Sequence, residues 1–219
     1  MIYLKTEGLI LAQRPKGEAD AIVHILTKKF GLLNLIARSL RKANSRLIGL
    51  CQTGNAAKIF LGTSNYQQYQ LISLLGYKFP GQGFKRYPYL YLWALRFLKS
   101  WNWFEISEPF WQTLVKLDQQ LNHQPRGFQI WFSLQVLKEL GAEPNFQFCH
   151  NCGRPLLEAF CHGSRLVCRN CKRPSYNQLS QAELNQLKRL VNSPQPVYPY
   201  PTALKSILAH HLKVVRQTG

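Results

Sequence analysis

The chain has 219 residues, of which 46% are hydrophobic, so it is long enough to bury the cores of one or two domains. Its 28 lysine and arginine residues against 10 acidic residues give a net charge of +18, which opposes compaction and favours a polyanionic partner, most often nucleic acid. No apolar run approaches the ~20 residues of a membrane-spanning helix, and the first residues lack the basic start and apolar stretch of a signal peptide. We therefore expect a cytoplasmic protein that does not span a membrane.

Residues 1–75 predict a small all-β domain. Five apolar or partly alternating runs, separated by turn-forming residues, have the length and composition of strands. These runs are Ile2–Ala12, Ala21–Thr27, Leu32–Arg38, Ala56–Leu61 and Tyr66–Leu74. Five strands with short connections fit a small barrel of the OB type, although the strand count alone leaves an SH3-like barrel open.

Residues 28–46 form a basic segment that contains no acidic residue. Its six cations lie in the loop before the third strand and around the exit of that strand: Lys28, Lys29, Arg38, Arg41, Lys42 and Arg46. Loops and one sheet face of a small barrel form the usual groove for single strands, so we predict that these residues bind nucleic acid. A solvated face without a partner is the alternative, which the repulsion among like charges disfavours.

Three aromatic residues of the predicted barrel are candidates for stacking with bases: Phe30, Tyr66 and Tyr69. Ordinary barrel core is an equally good interpretation of each. Glu18 and Asp20 are the acidic pair that a metal-dependent nuclease would need, but their place at a turn favours a structural role. No phosphate-binding loop or nucleophile motif is present, so we expect no enzymatic activity.

A joint at Phe79–Gly83 separates the strands from a region with helical periodicity, and we place a domain boundary between residues 79 and 80. The predicted helical domain, residues 80–219, contains an apolar stripe through 90–101, a helix start at Ser107 and a central helix over 128–140. Ser180 and Glu183 have the spacing of a capping box, and Thr202 begins a last helix.

Two Cys-x-x-Cys knuckles, fifteen residues apart, predict a structural zinc module over residues 146–174. Cys149, Cys152, Cys168 and Cys171 supply the four sulfur ligands that tetrahedral zinc favours, and Gly153 suits the turn after the first knuckle. Two disulfides or a redox pair are the alternatives, and Cys161 or His162 is an alternative ligand. The module has a basic surface that includes Arg165, Arg169, Lys172 and Arg173, and we predict that Arg165 and Arg169 bind nucleic acid.

The order and spacing of these features resemble the RecO family of bacterial DNA repair and recombination mediators. The matching motifs are Thr6-Glu7-Gly8, Gly17-Glu18-Ala19-Asp20, Gly31, Ala37-Arg38, Arg41-Lys42, Ser45-Arg46, the two knuckles and the ending Leu204–Leu212. Ser39 differs from the family pattern, which often has glycine there.

The resemblance implies an α+β multidomain protein, with an N-terminal OB-fold followed by a helical domain that carries a bound zinc ion. It also implies binding of single- and double-stranded DNA, annealing of complementary strands and recognition of the C-terminal tail of single-strand-binding protein (SSB). With RecR, such proteins help to load RecA onto SSB-coated DNA. An RNA-binding zinc-ribbon protein is the alternative that shares the charge, barrel and cysteines.

Overall fold

The computed structural model describes residues 2–63, 69–123, 125–191, 193 and 202–218. The chain divides into two compact units, Met1–His123 and Gln124–Gly219. The first unit joins the strands to the four helices that follow them, and the second contains the cysteine module and three helices. The domain boundary proposed between residues 79 and 80 stays a prediction.

The first unit is built on a closed five-stranded barrel. Its strands are β1 (Ile2–Lys16), β2 (Asp20–Thr27), β3 (Gly31–Ala37), β4 (Ala56–Thr63) and β5 (Tyr69–Lys78). Their order is β1-β2-β3-β5-β4, and pairing between β4 and β1 closes the barrel. Because β5 lies between β3 and β4 and runs parallel to β3, this is the Greek-key order of an OB-type barrel, as predicted.

Side chains alternate along each strand, and those that face inward fill the barrel interior. Ile10, Ile25, Leu35 and Ile59 are fully buried there, which is the period-2 pattern expected of strands with one face toward a core. Cys51 belongs to the same cluster, and burial raises the pKa of its thiol to about 12. Cys51 is thus a buried free thiol.

Four helices complete the first unit: α1 (Gln82–Arg86), α2 (Pro88–Lys99), α3 (Glu108–Val115) and α4 (Leu117–His123). The predicted joint is shorter than expected, because β5 continues to Lys78 and α1 begins at Gln82. Ser107 caps α3 as predicted, with its side chain accepting a hydrogen bond from the Phe110 N–H.

The turn between β2 and β3 packs against the segment that leads into α3. The Ile106 N–H donates to the Lys28 carbonyl at 2.8 Å, and Lys28 forms an ion pair with Glu108. The buried Tyr91 hydroxyl of α2 also donates to the Gly54 carbonyl, just before β4, at 3.1 Å. These contacts attach the barrel to its own helices at two separate places.

The second unit packs α5 (Phe128–Glu139) against α6 (Gln181–Val191) and α7 (Thr202–Thr218). The chain between α5 and α6 forms a small antiparallel sheet of β6 (Ala159–His162), β7 (Arg165–Val167) and β8 (Asn177–Leu179). The capping box is confirmed, because the Glu183 N–H donates to Ser180 Oγ and the Ser180 N–H donates to the Glu183 carboxylate. No helix in the described ranges is long and apolar enough to cross a membrane.

Candidate metal centre and nucleic-acid interface

Cys149, Cys152, Cys168 and Cys171 come together as the two knuckles predict. Their sulfur atoms all lie within 4.8 Å of one another, and Cys152 Sγ is 3.7 Å from Cys168 Sγ. A tetrahedral zinc site with bonds of about 2.3 Å separates its sulfurs by about 3.8 Å, so the cluster fits this geometry. The four clustered cysteines can therefore hold a metal ion.

Tight turns position the sulfurs of both knuckles. In the first knuckle, the Gly153 N–H donates to the Cys149 carbonyl at 2.9 Å, and Gly153 has a φ of 69°, as its predicted role in the turn requires. In the second knuckle, the Cys171 N–H donates to the Cys168 carbonyl at 3.0 Å across a single 3-10 turn. The Cys168 N–H also donates to Cys149 Sγ at 3.3 Å and so joins the two knuckles.

The pKa values of the clustered thiols suit the binding of a cation. Burial disfavours the thiolate of Cys149, but backbone N–H groups that donate to its sulfur lower its pKa to about 6. The pKa of Cys171 is instead raised to about 12, chiefly by its hydrogen bond with Cys152. Without a cation the four sulfurs therefore share protons, whereas a divalent ion would hold all four as thiolates.

Neither Cys161 nor His162 belongs to the group of cysteines within ligand distance of one another. The Cys161 thiol has a raised pKa because it is desolvated, and the His162 ring stacks on Tyr176 at 5.2 Å between centroids. All six cysteines are free thiols, which argues against the two-disulfide alternative.

The basic loop after β3, residues 38–46, is fastened to the turn between β1 and β2. The Ser39 N–H donates to Asp20 Oδ1 at 2.7 Å, and Arg41 Nη1 donates to the Gly17 carbonyl at 2.8 Å. Asp20 therefore has a structural role, as its place in the sequence predicts. Ser39 has a φ of 52°, a conformation that glycine adopts more readily than serine.

Fastening this loop leaves three of its cations exposed to solvent. Arg38, Lys42 and Arg46 are exposed, and within the described part of the chain their side chains form no ion pair or hydrogen bond. Arg41 is exposed as well, but one N–H group of its guanidinium is already used in the hydrogen bond to the Gly17 carbonyl. Three unpaired cations at one end of a barrel are suited to contact phosphates.

Sequence reasoning missed two further cations at this end of the barrel. Arg14 and Lys16 are exposed near the end of β1, across from Ile22 and Asp20 of β2. Arg14 and Arg41 line a groove of about 380 Å³ beside the loop. The run Gln13-Arg14-Pro15-Lys16 was the available signal, although a strand end does not show from sequence which loop it will meet.

Lys28 and Lys29 lie at the other end of β2, about 23 Å away at ~3.3 Å per strand residue. Lys28 is neutralised by Glu108 and by Glu7 at 3.8 Å, and its hydrogen bond with Glu108 raises its pKa. Lys29 is exposed. The six cations of the basic segment are therefore divided between two ends of the barrel.

The remaining predicted site residues lie elsewhere. Arg165 of β7 and Arg169 of the second knuckle are exposed in the second unit. Phe30 and Tyr69 stack on each other at 6.2 Å and pack against the barrel core, so the core interpretation holds for both. Tyr66 lies outside the described residues.

Two family models match the chain. The model described as "Recombination protein O N terminal" matches residues 1–75, which contain the barrel up to the middle of β5. The model described as "Recombination protein O C terminal" matches residues 92–209, which contain the cysteine cluster.

Several proteins named DNA repair protein RecO are similar to this chain. The one from Thermodesulfovibrio yellowstonii is 33% identical over 195 residues, which are 83% of this chain and 74% of that protein. The one from Thermoanaerobacter sp. is 28% identical over 188 residues, 81% of this chain and 74% of its own length. The one from Pelodictyon phaeoclathratiforme is 27% identical over 166 residues, 72% of this chain and 63% of its own length.

Proposed function

Because the chain belongs to the RecO family, we propose that it is a DNA repair and recombination mediator that binds single- and double-stranded DNA and anneals complementary strands. With RecR, it helps to load RecA onto single-stranded DNA that is coated with SSB, and it recognises the acidic C-terminal tail of SSB. It performs this role in the cytoplasm, on DNA of the nucleoid, without enzymatic chemistry.

The observation that carries this proposal is the set of unpaired cations at one end of an OB-type barrel. Arg38, Lys42 and Arg46 have no acidic partner among the described residues, and a hydrogen bond from the Ser39 N–H to Asp20 fixes the loop that presents them. Barrels of this type bind single strands through their loops and one sheet face. A fixed loop presents its charges without an ordering cost on binding.

Annealing follows from charge neutralisation. Two complementary strands repel each other through their phosphates, and a cationic protein that covers those phosphates lowers the repulsion without reading the bases. The net charge of +18 supplies this effect over a large surface. Phosphate contacts carry no sequence information, which suits a protein that must act on any pair of strands.

The metal ion in this proposal is zinc, and its role is structural. Four thiolates fill a tetrahedral zinc site, so no position is left for a catalytic water. The sulfurs come from two segments joined by the hairpin of β6 and β7, which is too short to fold without a further restraint. Zinc therefore stabilises the module that presents Arg165 and Arg169.

The test is an annealing assay with two complementary DNA strands, each coated with SSB. We expect the wild-type protein to accelerate annealing, and the triple variant Arg38→Ala, Lys42→Ala, Arg46→Ala to lose most of the acceleration. Arg41 is left unchanged because it also holds the loop in place. The matched control removes three exposed cations from the helical part of the same unit, Lys85→Ala of α1, Arg96→Ala of α2 and Lys116→Ala between α3 and α4.

Retained acceleration in the control and loss in the triple variant would support the proposal and locate the DNA surface. Equal loss in both variants would mean that net charge alone matters. If the wild-type protein bound DNA without accelerating annealing, the mediator role would be wrong. In that case, competition between RNA and DNA strands of one sequence would test the RNA-binding alternative.

A further inference from the structure

The outer face of β1 and β4 exposes two aromatic rings that the barrel core does not use. Tyr3 of β1 is 68% exposed, and Phe60 of β4 is half-buried. The strand register places Tyr3 across from Gly62 and Lys5 across from Phe60, so both rings lie on the same face of the sheet. Gly62 has no side chain that could cover the Tyr3 ring.

The same face continues as an apolar surface onto β5. Ile72 is 42% exposed and Leu75 is 56% exposed. Polar residues would serve equally well at both positions if this face met only water. Apolar side chains clustered on an outer face mark a binding surface more often than isolated ones do. The face of β1, β4 and β5 that contains Tyr3, Phe60, Ile72 and Leu75 is called the ring face below.

The charges around the ring face favour a polyanion. Lys5 Nζ lies 5.6 Å from the centroid of the Phe60 ring, and Lys58 is exposed on β4 next to it along the strand. The acid nearest in the register is Glu7, across from Lys58, and Lys28 Nζ lies 3.8 Å from its carboxylate. The face therefore has two exposed lysines, Lys5 and Lys58, against one acid, Glu7, which shares Lys28 with Glu108.

Exposed apolar residues would also suit a protein partner, but the combination of side chains on the ring face is more specific to nucleic acid. Aromatic rings next to lysines are the combination that binds single-stranded nucleic acid, because each base has a face that stacks and each nucleotide brings a phosphate. Lys5 Nζ lies over the Phe60 ring, so a base that stacks on this ring takes the place of the ammonium group, which then contacts the phosphate of the same nucleotide. Lys29, which the sequence predicts to contact DNA, lies next to this part of β1, because its backbone N–H donates to Thr6 Oγ1 at 3.4 Å.

We propose that the ring face binds single-stranded nucleic acid by stacking bases on Tyr3 and Phe60, with Lys5 and Lys58 contacting the phosphates. This inference rests on the proposed function and adds a second contact surface to it. Tyr3 pairs with β4 at the start of β1, whereas Arg14, which lines the groove beside the loop of residues 38–46, pairs with β2 near the end of the same strand, so the ring face and this loop are separate surfaces. The two surfaces allow one barrel to hold a strand by its bases at one end and by its phosphates at the other.

The experiment compares binding of a labelled oligothymidylate with binding of an abasic strand of the same length. Stacking requires bases, so we expect the wild-type protein to prefer the oligothymidylate. Tyr3→Ala should weaken oligothymidylate binding at least about fivefold and leave abasic binding and the salt dependence unchanged, because no charge is removed. Tyr3→Phe should bind as the wild type does, since it keeps the ring.

Phe60→Leu is the second variant, and it keeps an apolar side chain in the half-buried site while removing the ring. It should also lose the preference for strands with bases. Tyr89→Ala is the matched control, since Tyr89 of α2 is 67% exposed in the same unit but lies outside the ring face. Its affinity should stay within about twofold of the wild-type value.

Unchanged oligothymidylate binding in Tyr3→Ala and Phe60→Leu would overturn the inference and leave the ring face for a protein partner. Equal weakening for both strands would overturn it too, because the rings would then act without bases. These outcomes leave the proposed function intact as long as the wild-type protein binds single strands. If the wild-type protein bound neither strand, the proposed function would fail together with the inference.

Discussion

Gly31 and Gly17 both adopt positive φ at the ends of hairpin turns, but only Gly31 is also confined by its surroundings. A Cβ atom at Gly31 would lie 1.9 Å from the Trp103 carbonyl oxygen, whereas a Cβ at Gly17, with a φ of 63°, would meet nothing within 4 Å. Gly31 therefore allows the β2–β3 turn to pack against the segment before α3.

We expect Gly31→Ala to lower the free energy of unfolding by about 3 kcal/mol or more, since backbone strain and a steric clash add. Gly17→Ala is the matched control and should cost only about 1 kcal/mol, because it has the strain without the clash. Urea denaturation of the three proteins measures both values. Equal costs would contradict the packing described for this turn.

His24 of β2 is 8% exposed, and its Nδ1 hydrogen-bonds to Asn34 Oδ1 of β3. Burial lowers its pKa below 6.5, the hydrogen bond to Asn34 opposes this shift, and the cations Lys99 and Arg14 add to it. The unfolded chain therefore takes up a proton at a higher pH than the folded chain does. The stability that neutral His24 confers is complete above about pH 6.5 and is lost as the pH falls through the folded-state pKa.

The check is the melting temperature of the wild type and of His24→Gln between about pH 5 and pH 8. The difference between the two proteins should shrink as the pH falls below about 6.5, because only the wild type carries this titration. Parallel curves over the whole range would show that His24 titrates alike in the folded and unfolded chains.

Most elements were predictable because their patterns are local. The period-2 runs of the barrel and the caps at Ser107 and Ser180 lie within a few residues of the elements they define. The break between α3 and α4 at Lys116 was not predicted, because the apolar spacing continues through it. The short helix α1 was not predicted either, because it directly follows a Gly/Pro joint. The sheet of β6–β8 was also missed, because its strands have only three or four residues.

The cysteine module gives the sharpest prediction at the scale of an element. Cys152→Ser should abolish stoichiometric zinc and lower the melting temperature of the second unit, because metal binding supplies on the order of 10 kcal/mol to such modules. Affinity for DNA should fall only indirectly. Metal content by mass spectrometry and thermal melting measure these effects.

Cys161→Ser is the control for this element, since Cys161 lies between the knuckles but outside the cluster. It should keep one zinc ion per chain and most of its stability. Loss of zinc in Cys161→Ser with retention in Cys152→Ser would reverse the assignment of the ligands.

At the scale of the whole molecule, the sequence predicted the excess of charge but not its distribution. The pairing of Lys28 with Glu108 joins residues eighty positions apart, and no local pattern announces it. The same holds for Arg14, which meets the loop of residues 38–46 only because β1 and β2 form a hairpin. Tyr3 was overlooked because an aromatic residue in an alternating strand gives no sign of which face it occupies.

The central claim is that the unpaired cations of residues 38–46 bind DNA through its phosphates. The most direct test is the salt dependence of single-strand affinity, since each neutralised phosphate contributes about 0.7 to the log–log slope. With about five phosphates neutralised, the wild-type slope should be near −3.5. The triple variant Arg38→Ala, Lys42→Ala, Arg46→Ala should reduce it to about −1.4, and the control Lys85→Ala, Arg96→Ala, Lys116→Ala should leave it unchanged. A wild-type slope near zero, or the same slope in both variants, would contradict the account.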